Sequence, residues 1–451
     1  MKNKNQLTEG NIAQVLIRLA IPIMGTSFIQ MAYNMIDMIW IGRMGSNAVA
    51  AVGTAGFFPW FAFALIVIPK IGAEVGVAQS IGRGDRDDAK AYIRHTIQLV
   101  VFLAIIYSIL VIVFRKSLIG FFDLGDIEII TMAISYLVIV SFGMIFYFVN
   151  PVFTGILNGY GNSRTPFILN AIGLVTNIIL DPILIFGVGP IPAMGVVGAG
   201  IATVFAQFIV SCFFVYHIVK SDEEIFFDLH LLKKPDLAHM NSIIKLGLPT
   251  GLQNGLFTFF AMIIAKIIAS WGPVPIAVQK VGSQIEAISW MTAEGFATAI
   301  SAFVGQNYGA DKWDRIKKGY FIGLRIVGII GVLATLLLFF AAEPIFKIFL
   351  TEPEVISQGV VYLKILSLSQ LFMTIEIASA GAFNGLGKTV PPSIVGIIFN
   401  GLRIPSAILL SGYTILGLNG VWWSISISSI FKGIILTAWF MLVLYKTKPL
   451  V

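Results

Sequence analysis

One carboxylate of this sequence stands in the middle of an apolar run. Asp37 lies within "MAYNMIDMIWIG" (31–42). A charged side chain at the centre of a membrane helix costs about 2.5–3.5 kcal/mol on insertion scales, so such a residue usually serves a function. Gln30, Tyr33, Asn34 and Asp37 are spaced i, i+3, i+4 and i+7, which places them on one helix face. This polar stripe is predicted to line a cavity, and the alternative is a hydrogen-bonding patch between helices.

A second apolar run, "NAIGLVTNIILDPILIFG", carries another acid. Asn177 and Asp181 are four residues apart and therefore share a helix face. A carboxylate in a poorly solvated cavity can take a proton near neutral pH. With amide and hydroxyl oxygens around it, the same carboxylate can instead coordinate a hard cation such as Na⁺. Thr203 and Tyr136, which lie in other apolar segments, are candidates to supply those hydroxyl groups.

The second half of the sequence also has charges within apolar segments. Lys266, Glu286 and Glu376 are three of them. Pairing of Glu286 with Lys266 would hold two charges in the membrane at reduced cost. The alternative is that these groups form a substrate or proton site. Arg403 lies near the position that corresponds to Asp181, so the two halves are expected to differ in charge.

The composition identifies the solvent of these segments as the lipid bilayer. Apolar residues make up 57% of the 451-residue chain and charged residues 12%, and the mean hydropathy is +0.90. A soluble domain has about a quarter of its residues charged. The fold class is therefore predicted to be an all-α integral membrane protein, and Pro22 is predicted to kink its first helix. Twelve apolar segments are expected near 12–40, 46–81, 91–114, 126–149, 164–188, 195–219, 240–271, 276–306, 316–342, 354–380, 390–412 and 417–445.

Four short motifs occur twice and indicate an internal duplication. "RLAIP" returns as "KLGLP", "AQSIGRGD" as "GQNYGADK", "NGYGNSRTP" as "NGLGKTVPP", and "GVVGAG" as "GLNGVW", all in the same order. The domains are therefore predicted to be an amino-terminal six-helix lobe at 1–220, a cytoplasmic linker at 221–239 and a carboxy-terminal six-helix lobe at 240–451. With six helices in each lobe, the repeat is expected to be parallel, with its axis along the membrane normal.

The distribution of Lys and Arg orients the chain. If both termini are cytoplasmic, the loops on the outside hold only Arg43, Arg115, Lys116 and Lys347. The positive-inside rule therefore favours cytoplasmic termini, and it accounts for much of the net charge of +7 without nucleic-acid binding. We expect a multi-pass protein of the plasma membrane that contacts lipid and no nucleic acid. The loops contain no catalytic constellation and no phosphate-binding motif, so an enzyme and an ATP-driven pump are not expected.

These motifs resemble those of the multidrug and toxic compound extrusion (MATE) family along essentially the whole chain. The similarity is carried by Pro22 and Asp37 in the first segment, by "AQSIGRGD", and by the NG-x-G motifs before the fifth and eleventh segments. The pattern of Asp37 with Asn177 and Asp181 is similar to the archaeal and DinF-like branch. The resemblance implies a V-shaped transporter of two pseudo-symmetric six-helix bundles. The acidic residue that the NorM branch has in its seventh segment is absent, so coupling through the carboxy-terminal lobe in that manner is not expected.

The resemblance also implies roles for individual residues. Cation coupling falls on a set in the amino-terminal lobe, and substrate contacts fall on a second set. The cation-coupling set is Asp37, Asn177, Asp181, Tyr136 and Thr203. The substrate-binding set is Gln30, Tyr33, Asn34 and Asn150. If the ion is Na⁺, its predicted ligands are Asp37, Asn177, Asp181 and Thr203.

The function that follows from this resemblance is secondary active transport. The chain is expected to export amphipathic or cationic organic compounds in exchange for H⁺ or Na⁺, by alternating access of its two halves. The alternative is a flippase for lipid-linked precursors of the same superfamily, which would favour a basic cavity rather than an acidic one. No cofactor is expected besides the coupling ion, and the protein is expected to be a monomer.

Overall fold

The structure is a computed structural model, and it describes residues 7–349 and 352–446. These residues form fifteen α-helices and one short 3₁₀ turn. The described part of the chain contains no β-strand beyond a single bridge between Val188 and Ile191. The all-α fold class predicted from composition is thus confirmed.

Eight helices precede the polar connection in the middle of the chain. They are α1 (Ile12–Gly42), α2 (Ser46–Ala55), α3 (Phe57–Arg83), α4 (Arg86–Gly120), α5 (Ile127–Phe142), α6 (Met144–Tyr160), α7 (Arg164–Phe186) and α8 (Gly195–Lys220).

Seven helices follow this connection. They are α9 (Leu237–Ala269), α10 (Pro273–Gly309), α11 (Trp313–Phe340), α12 (Ala342–Phe349), α13 (Pro353–Gly385), α14 (Val390–Gly412) and α15 (Leu418–Lys446).

The number of membrane spans agrees with the twelve predicted segments. Among the described residues, eleven helical stretches are long and apolar enough to cross a bilayer, with α2 and α3 counted as one stretch. The twelfth span is the pair α5 and α6, which bend by 49° at Gly143. The sequence predicts this segment as one helix near 126–149. The structure breaks it and extends it to Tyr160.

The contacts within the chain define two compact units. Unit 1 is Gly25–Leu248, and unit 2 contains the described residues 7–24 and 249–446. Both boundaries fall inside long helices, α1 and α9, rather than in the connection between them. This division differs from the predicted limits at 220 and 240, because the first turns of α1 pack with unit 2 and the first turns of α9 pack with unit 1.

The core of unit 1 brings α7 and α8 together. These two helices pack along much of their length, as do α3 with α4 and α3 with α6. A Cβ atom at Gly198 would lie 2.3 Å from the carbonyl oxygen of Leu184. Only glycine allows this approach of backbones, and it fixes the faces of α7 and α8 that carry the polar residues described below.

The polar connection is anchored to unit 1. The side chain of Gln98 in α4 donates to the carbonyl oxygens of Leu231 and Lys233, at 2.7 and 2.8 Å. The backbone N–H of Asp236 donates to Nε2 of His95 at 2.8 Å. A hydrogen bond from His239 lowers the pKa of the Asp236 carboxyl below its ordinary value. These contacts hold the start of α9 against α4.

Unit 2 is built around α13, which packs against α10, α11 and α15. The first turns of α1 join this core, since Leu16 and Ile23 belong to the same buried cluster as Phe303. The backbone N–H of Leu7 donates to Oε1 of Gln306 at 2.9 Å.

Two of the duplicated motifs are helix-ending turns. Gly84 in "AQSIGRGD" has φ 75° and ends α3. The carboxylate of Asp85 then accepts a hydrogen bond from the N–H of Asp88 at 3.0 Å, which caps α4. Gly161 in "NGYGNSRTP" has φ 99° and ends α6. Left-handed φ values favour glycine at such positions, so these motifs repeat because each unit needs the same turns.

Candidate functional site

The predicted pair on α7 forms as the spacing requires. Asn177 and Asp181 are both fully buried. Nδ2 of Asn177 donates to Oδ1 of Asp181 at 3.0 Å. The i, i+4 spacing in the helix sets this contact, and Pro182 follows within the same helix.

Asp37 on α1 approaches this pair. Oδ2 of Asp37 accepts a hydrogen bond from Oγ1 of Thr203 on α8, at 3.3 Å. The Asp37 carboxyl also lies close enough to the carboxyl of Asp181 and the amide of Asn177 to interact with both. Three helices therefore bring together Asp37, Asn177, Asp181 and Thr203, all within unit 1.

These groups have more acceptors than donors. Oδ1 of Asp37, Oδ2 of Asp181 and Oδ1 of Asn177 are buried and have no hydrogen-bond partner in the structure. A buried polar atom without a partner costs about 1–3 kcal/mol, and more if it is charged. A proton shared between the carboxyls would supply a donor, and Na⁺ would accept these oxygens as ligands. The residues present thus suit a monovalent cation.

The two predicted tyrosines lie at the edge of this group. The Tyr33 hydroxyl donates to the carbonyl oxygen of Thr203 at 3.3 Å. Tyr136 on α5 is buried and lies near both acids. The described structure has no hydrogen bond between the Tyr136 hydroxyl and either carboxyl, so its place is beside the group rather than in it.

Asn150 on α6 occupies a different network from the one predicted. It is buried, and its Nδ2 donates to Oε1 of Gln207 at 2.8 Å. Its Oδ1 accepts from Oγ of Ser211 at 2.7 Å. The side chain of Gln207 in turn interacts with Tyr33. Asn150 therefore reaches the acidic group only through Gln207.

Sequence reasoning missed Gln207 and Ser211. Together with Thr203 they are spaced i, i+4 and i+8 on α8, which is the same kind of periodic polar stripe that identified the face of α1. This stripe bonds α8 to α6 and, through Tyr33, to α1. This spacing could have identified Gln207 and Ser211 from the sequence.

The remaining predicted residues on α1 lie outside the hydrogen-bonded group. The side chains of Gln30 and Asn34 are exposed. The helix runs on through Pro22, which lies in the part of α1 that packs with unit 2. Gln30 and Asn34 thus leave polar groups available on the same helix as Asp37.

The acids of unit 2 have partners other than the one considered from the sequence. Lys266 is exposed, and no carboxylate of the described residues lies within 4 Å of it. Nζ of Lys432 on α15 instead lies 3.1 Å from Oε2 of Glu376 on α13. Oε2 of Glu286 accepts from Nε2 of Gln370 at 3.4 Å. The pairing of Glu286 with Lys266 is therefore wrong, because Lys266 points away from the core of unit 2.

Comparison with known proteins agrees with this architecture. A family model described as MatE matches residues 22–183 and 249–409. The chain is 30% identical over 439 residues to the probable multidrug resistance protein NorM of Thermotoga maritima, which covers 95% of this chain and 93% of that relative. It is 23% identical over 448 residues to the FAD transporter of Shewanella oneidensis, with 96% and 95% covered.

A solved structure has the same fold. The crystal structure of MATE in the bent conformation superposes with a TM-score of 0.92 at 25% sequence identity, and it covers 99% of this chain and 98% of that chain. The two stretches that match the family model begin at Pro22 and Pro249, the prolines of the duplicated motifs "RLAIP" and "KLGLP".

Proposed function

The chain belongs to the MatE family, and from this membership together with the acidic group of unit 1 we propose that it is a secondary active multidrug efflux antiporter. It exports amphipathic or cationic organic compounds in exchange for H⁺ or Na⁺, by alternating access. The observation that carries the coupling role is the convergence of Asp37 and Asp181. Oδ1 of Asp37 and Oδ2 of Asp181 are buried and accept no hydrogen bond. A second function is not favoured, since a flippase for lipid-linked precursors would call for a basic cavity.

The coupling step follows from the electrostatics of this pair. Two unit charges about 4 Å apart interact with about 4 kcal/mol at an effective dielectric constant of about 20. With no cation bound, Asp37 and Asp181 repel each other and their free oxygens lack donors. With a cation bound, both costs fall and α1 is drawn toward α7 and α8. The bound state therefore favours one arrangement of α1, and release of the cation favours another.

Substrate recognition is assigned to the same helix. Gln30 and Asn34 are exposed, and Tyr33 bonds to Thr203, so these three residues are retained as substrate contacts on the face that ends at Asp37. A change in the position of α1 then alters the coupling site and the substrate site together. Asn150 is assigned a different role: it positions Gln207, which interacts with Tyr33.

The chain is a multi-pass membrane protein. The proposal also includes its membrane, its oligomeric state and its orientation. We place it in the plasma membrane as a monomer, with both termini and the connection at 221–239 in the cytoplasm. The excess of Lys and Arg in the loops on that side supports this orientation. Coupling residues in unit 1 then take up the cation from outside and release it inside.

Transport by purified protein in proteoliposomes tests this function. A pH gradient or a Na⁺ gradient is imposed alone, and the initial rate of movement of ethidium, a fluorescent organic cation, is measured. We expect one of the two gradients to drive ethidium movement well above the rate of protein-free liposomes. The membrane potential is held at zero so that it does not itself drive ethidium movement. If neither gradient drives movement under this condition, the antiport function is refuted.

A further inference from the structure

The connection between α8 and α9 exposes apolar side chains that unit 1 does not bury. Leu232 is fully exposed, and Leu237 is 81% exposed. Phe227 and Leu231 are also exposed, although the neighbouring Phe226 is buried in the core of unit 1. Single exposed apolar residues are normal on a protein surface, but a group of them marks a contact surface. The connection therefore has a second apolar side that its own unit leaves uncovered.

The position of these side chains is fixed by α4. Nε2 of Gln98 donates to the carbonyl oxygens of Leu231 and Lys233, so the connection lies against α4 at this residue. Phe102 follows on the same face of the helix, four residues or about 6 Å farther along, and it is 59% exposed. Phe102 begins an exposed apolar band of α4 that continues with Ile105, Ile106, Ile109, Leu110 and Val113.

Two arginines mark the ends of this band. Arg94 and Arg115 are 21 residues apart on α4, which corresponds to about 32 Å of helix. The hydrocarbon core of a bilayer is about 30 Å thick, and basic side chains near the ends of a membrane helix extend to its surface. Gln98 lies one turn inside Arg94. The exposed side chain of Leu232 is thus at the boundary between the acyl chains and the headgroups.

The same segment presents positive charge beside its apolar side chains. Lys233 and Lys234 are exposed, and no carboxylate of the described residues lies within 4 Å of either amine. The one acid within 231–237 is Asp236, and it bonds to His239 at 2.6 Å. The two lysines therefore need an anionic partner from outside the chain.

We propose that residues 231–237 form a binding site for anionic phospholipid at the membrane surface. Leu232 and Leu237 contact the ends of the acyl chains, and Lys233 and Lys234 bind the phosphate groups. Apolar side chains combined with basic residues are the two features by which a segment attaches to an anionic bilayer surface. The site belongs to the backbone segment that leads into α9, so bound lipid holds the start of this helix at the surface. It does not depend on the antiport function proposed for the chain.

The depth of Leu232 is the first test. Single cysteines replace Leu232, Asp87 or Phe102 in a Cys212→Ala background, and each carries a nitroxide in nanodiscs that contain phosphatidylglycerol. Electron paramagnetic resonance then measures collisions with oxygen, which enters lipid, and with a water-soluble nickel complex. Asp87 is exposed in the first turn of α4 and calibrates water, whereas Phe102 calibrates lipid. We expect the ratio of oxygen to nickel collisions at Leu232 to be several-fold above that at Asp87 and close to that at Phe102.

The second test is the choice of lipid. A fluorophore on a cysteine at Leu232 is quenched by phosphatidylglycerol or by phosphatidylcholine that carries a nitroxide, at the same mole fraction in mixed nanodiscs. Each lysine near the surface should enrich the anionic lipid about fivefold, so phosphatidylglycerol should quench several-fold more. Lys233→Gln with Lys234→Gln should remove this preference. The matched control is Arg115→Gln with Lys116→Gln, which removes two positive charges at the other end of α4 and should keep it.

Three results would overturn the proposal. One is a collision ratio at Leu232 that equals the ratio at Asp87, since the segment would then lie in water. Another is equal quenching by the two phospholipids in the protein with both lysines, which would show an apolar contact without anionic recognition. The third is equal loss of the preference in the control double variant, which would assign it to net charge. All three measurements omit transport, so they leave the antiport function untouched.

Discussion

Replacing Asp37 by asparagine should separate folding from coupling. An asparagine side chain keeps an oxygen that can accept the 3.3 Å hydrogen bond from Thr203. Its Nδ2 can donate to Asp181, whose Oδ2 has no donor in the wild-type protein. Since one hydrogen bond contributes about 0.5–1.5 kcal/mol, the stability of the folded protein should stay within about 1 kcal/mol of the wild-type value or rise slightly.

Cation binding should suffer far more. Loss of one unit charge about 4 Å from a cation removes about 4 kcal/mol at an effective dielectric constant of about 20. At about 1.4 kcal/mol for each tenfold change, this is a loss of roughly three orders of magnitude in affinity. Uptake driven by the coupling gradient should therefore fall to the level of protein-free liposomes, while thermal unfolding in detergent remains close to that of the wild type.

The assay is the initial rate of ethidium movement in proteoliposomes with the gradient that drives the wild-type protein. Glu128→Gln is the matched control, because Glu128 is an exposed acid at the start of α5 and its neutralisation should change neither property. A folded Asp37→Asn protein that transports at the wild-type rate would refute the coupling role of Asp37. Equal loss of transport in Glu128→Gln would show that the assay responds to any loss of negative charge.

Two further predictions concern the ion pair of unit 2 and the topology. Lys432→Met should lower the free energy of unfolding by about 3–5 kcal/mol, because it leaves the buried charge of Glu376 unpaired. Adding Glu376→Leu to this variant should restore most of the lost free energy of unfolding. Thermal unfolding of the single and the double variant measures both effects, and equal losses of stability would contradict the pairing. In a Cys212→Ala background, a cysteine at His230 should be shielded from an impermeant maleimide in intact cells while a cysteine at Asp123 is labelled; the opposite pattern would invert the proposed orientation.

The local part of the proposed coupling site was predictable from the sequence. The i, i+4 contact of Asn177 with Asp181 follows from helix geometry alone. The cost of Asp37 in an apolar run also marked it as a candidate functional residue. The meeting of Asp37 with Thr203 needed more than spacing, because it joins residues 166 positions apart, and the family resemblance supplied it. The assignment to the DinF-like branch stays a prediction.

What could not be predicted depends on which faces of different helices meet. Glu286 and Lys266 were the nearest opposite charges in adjacent segments, yet the rotation of α9 leaves Lys266 exposed. The partner of Glu376 is Lys432, from the last helix of the chain. Periodicity finds the polar face of one helix, but it does not say which other helix that face contacts.

The break of the fourth span and the position of the unit boundaries have the same origin. Hydropathy identifies 126–149 as apolar, but it carries no information on the 49° bend at Gly143. The repeat likewise places boundaries between α8 and α9. The compact units have their limits inside α1 and α9 instead, since Leu16 and Ile23 of α1 bury their side chains in the core of unit 2. Local sequence defines the elements, and the assignment of each half-helix to a core is a tertiary property.

The two units show how a duplicated fold acquires different chemistry from a few residues. Asn400 corresponds to Asn177 in the repeat, but Arg403 lies next to the position that corresponds to Asp181. In addition, Lys432 supplies a base to Glu376. Within unit 2, Lys432 thus balances Glu376, whereas the contact of Glu286 is the amide of Gln370. In unit 1, no basic side chain of the described residues contacts Asp37 or Asp181. Under the proposed function, this pair of acids without a base takes its positive charge from solution, and for that reason we place the coupling role in unit 1.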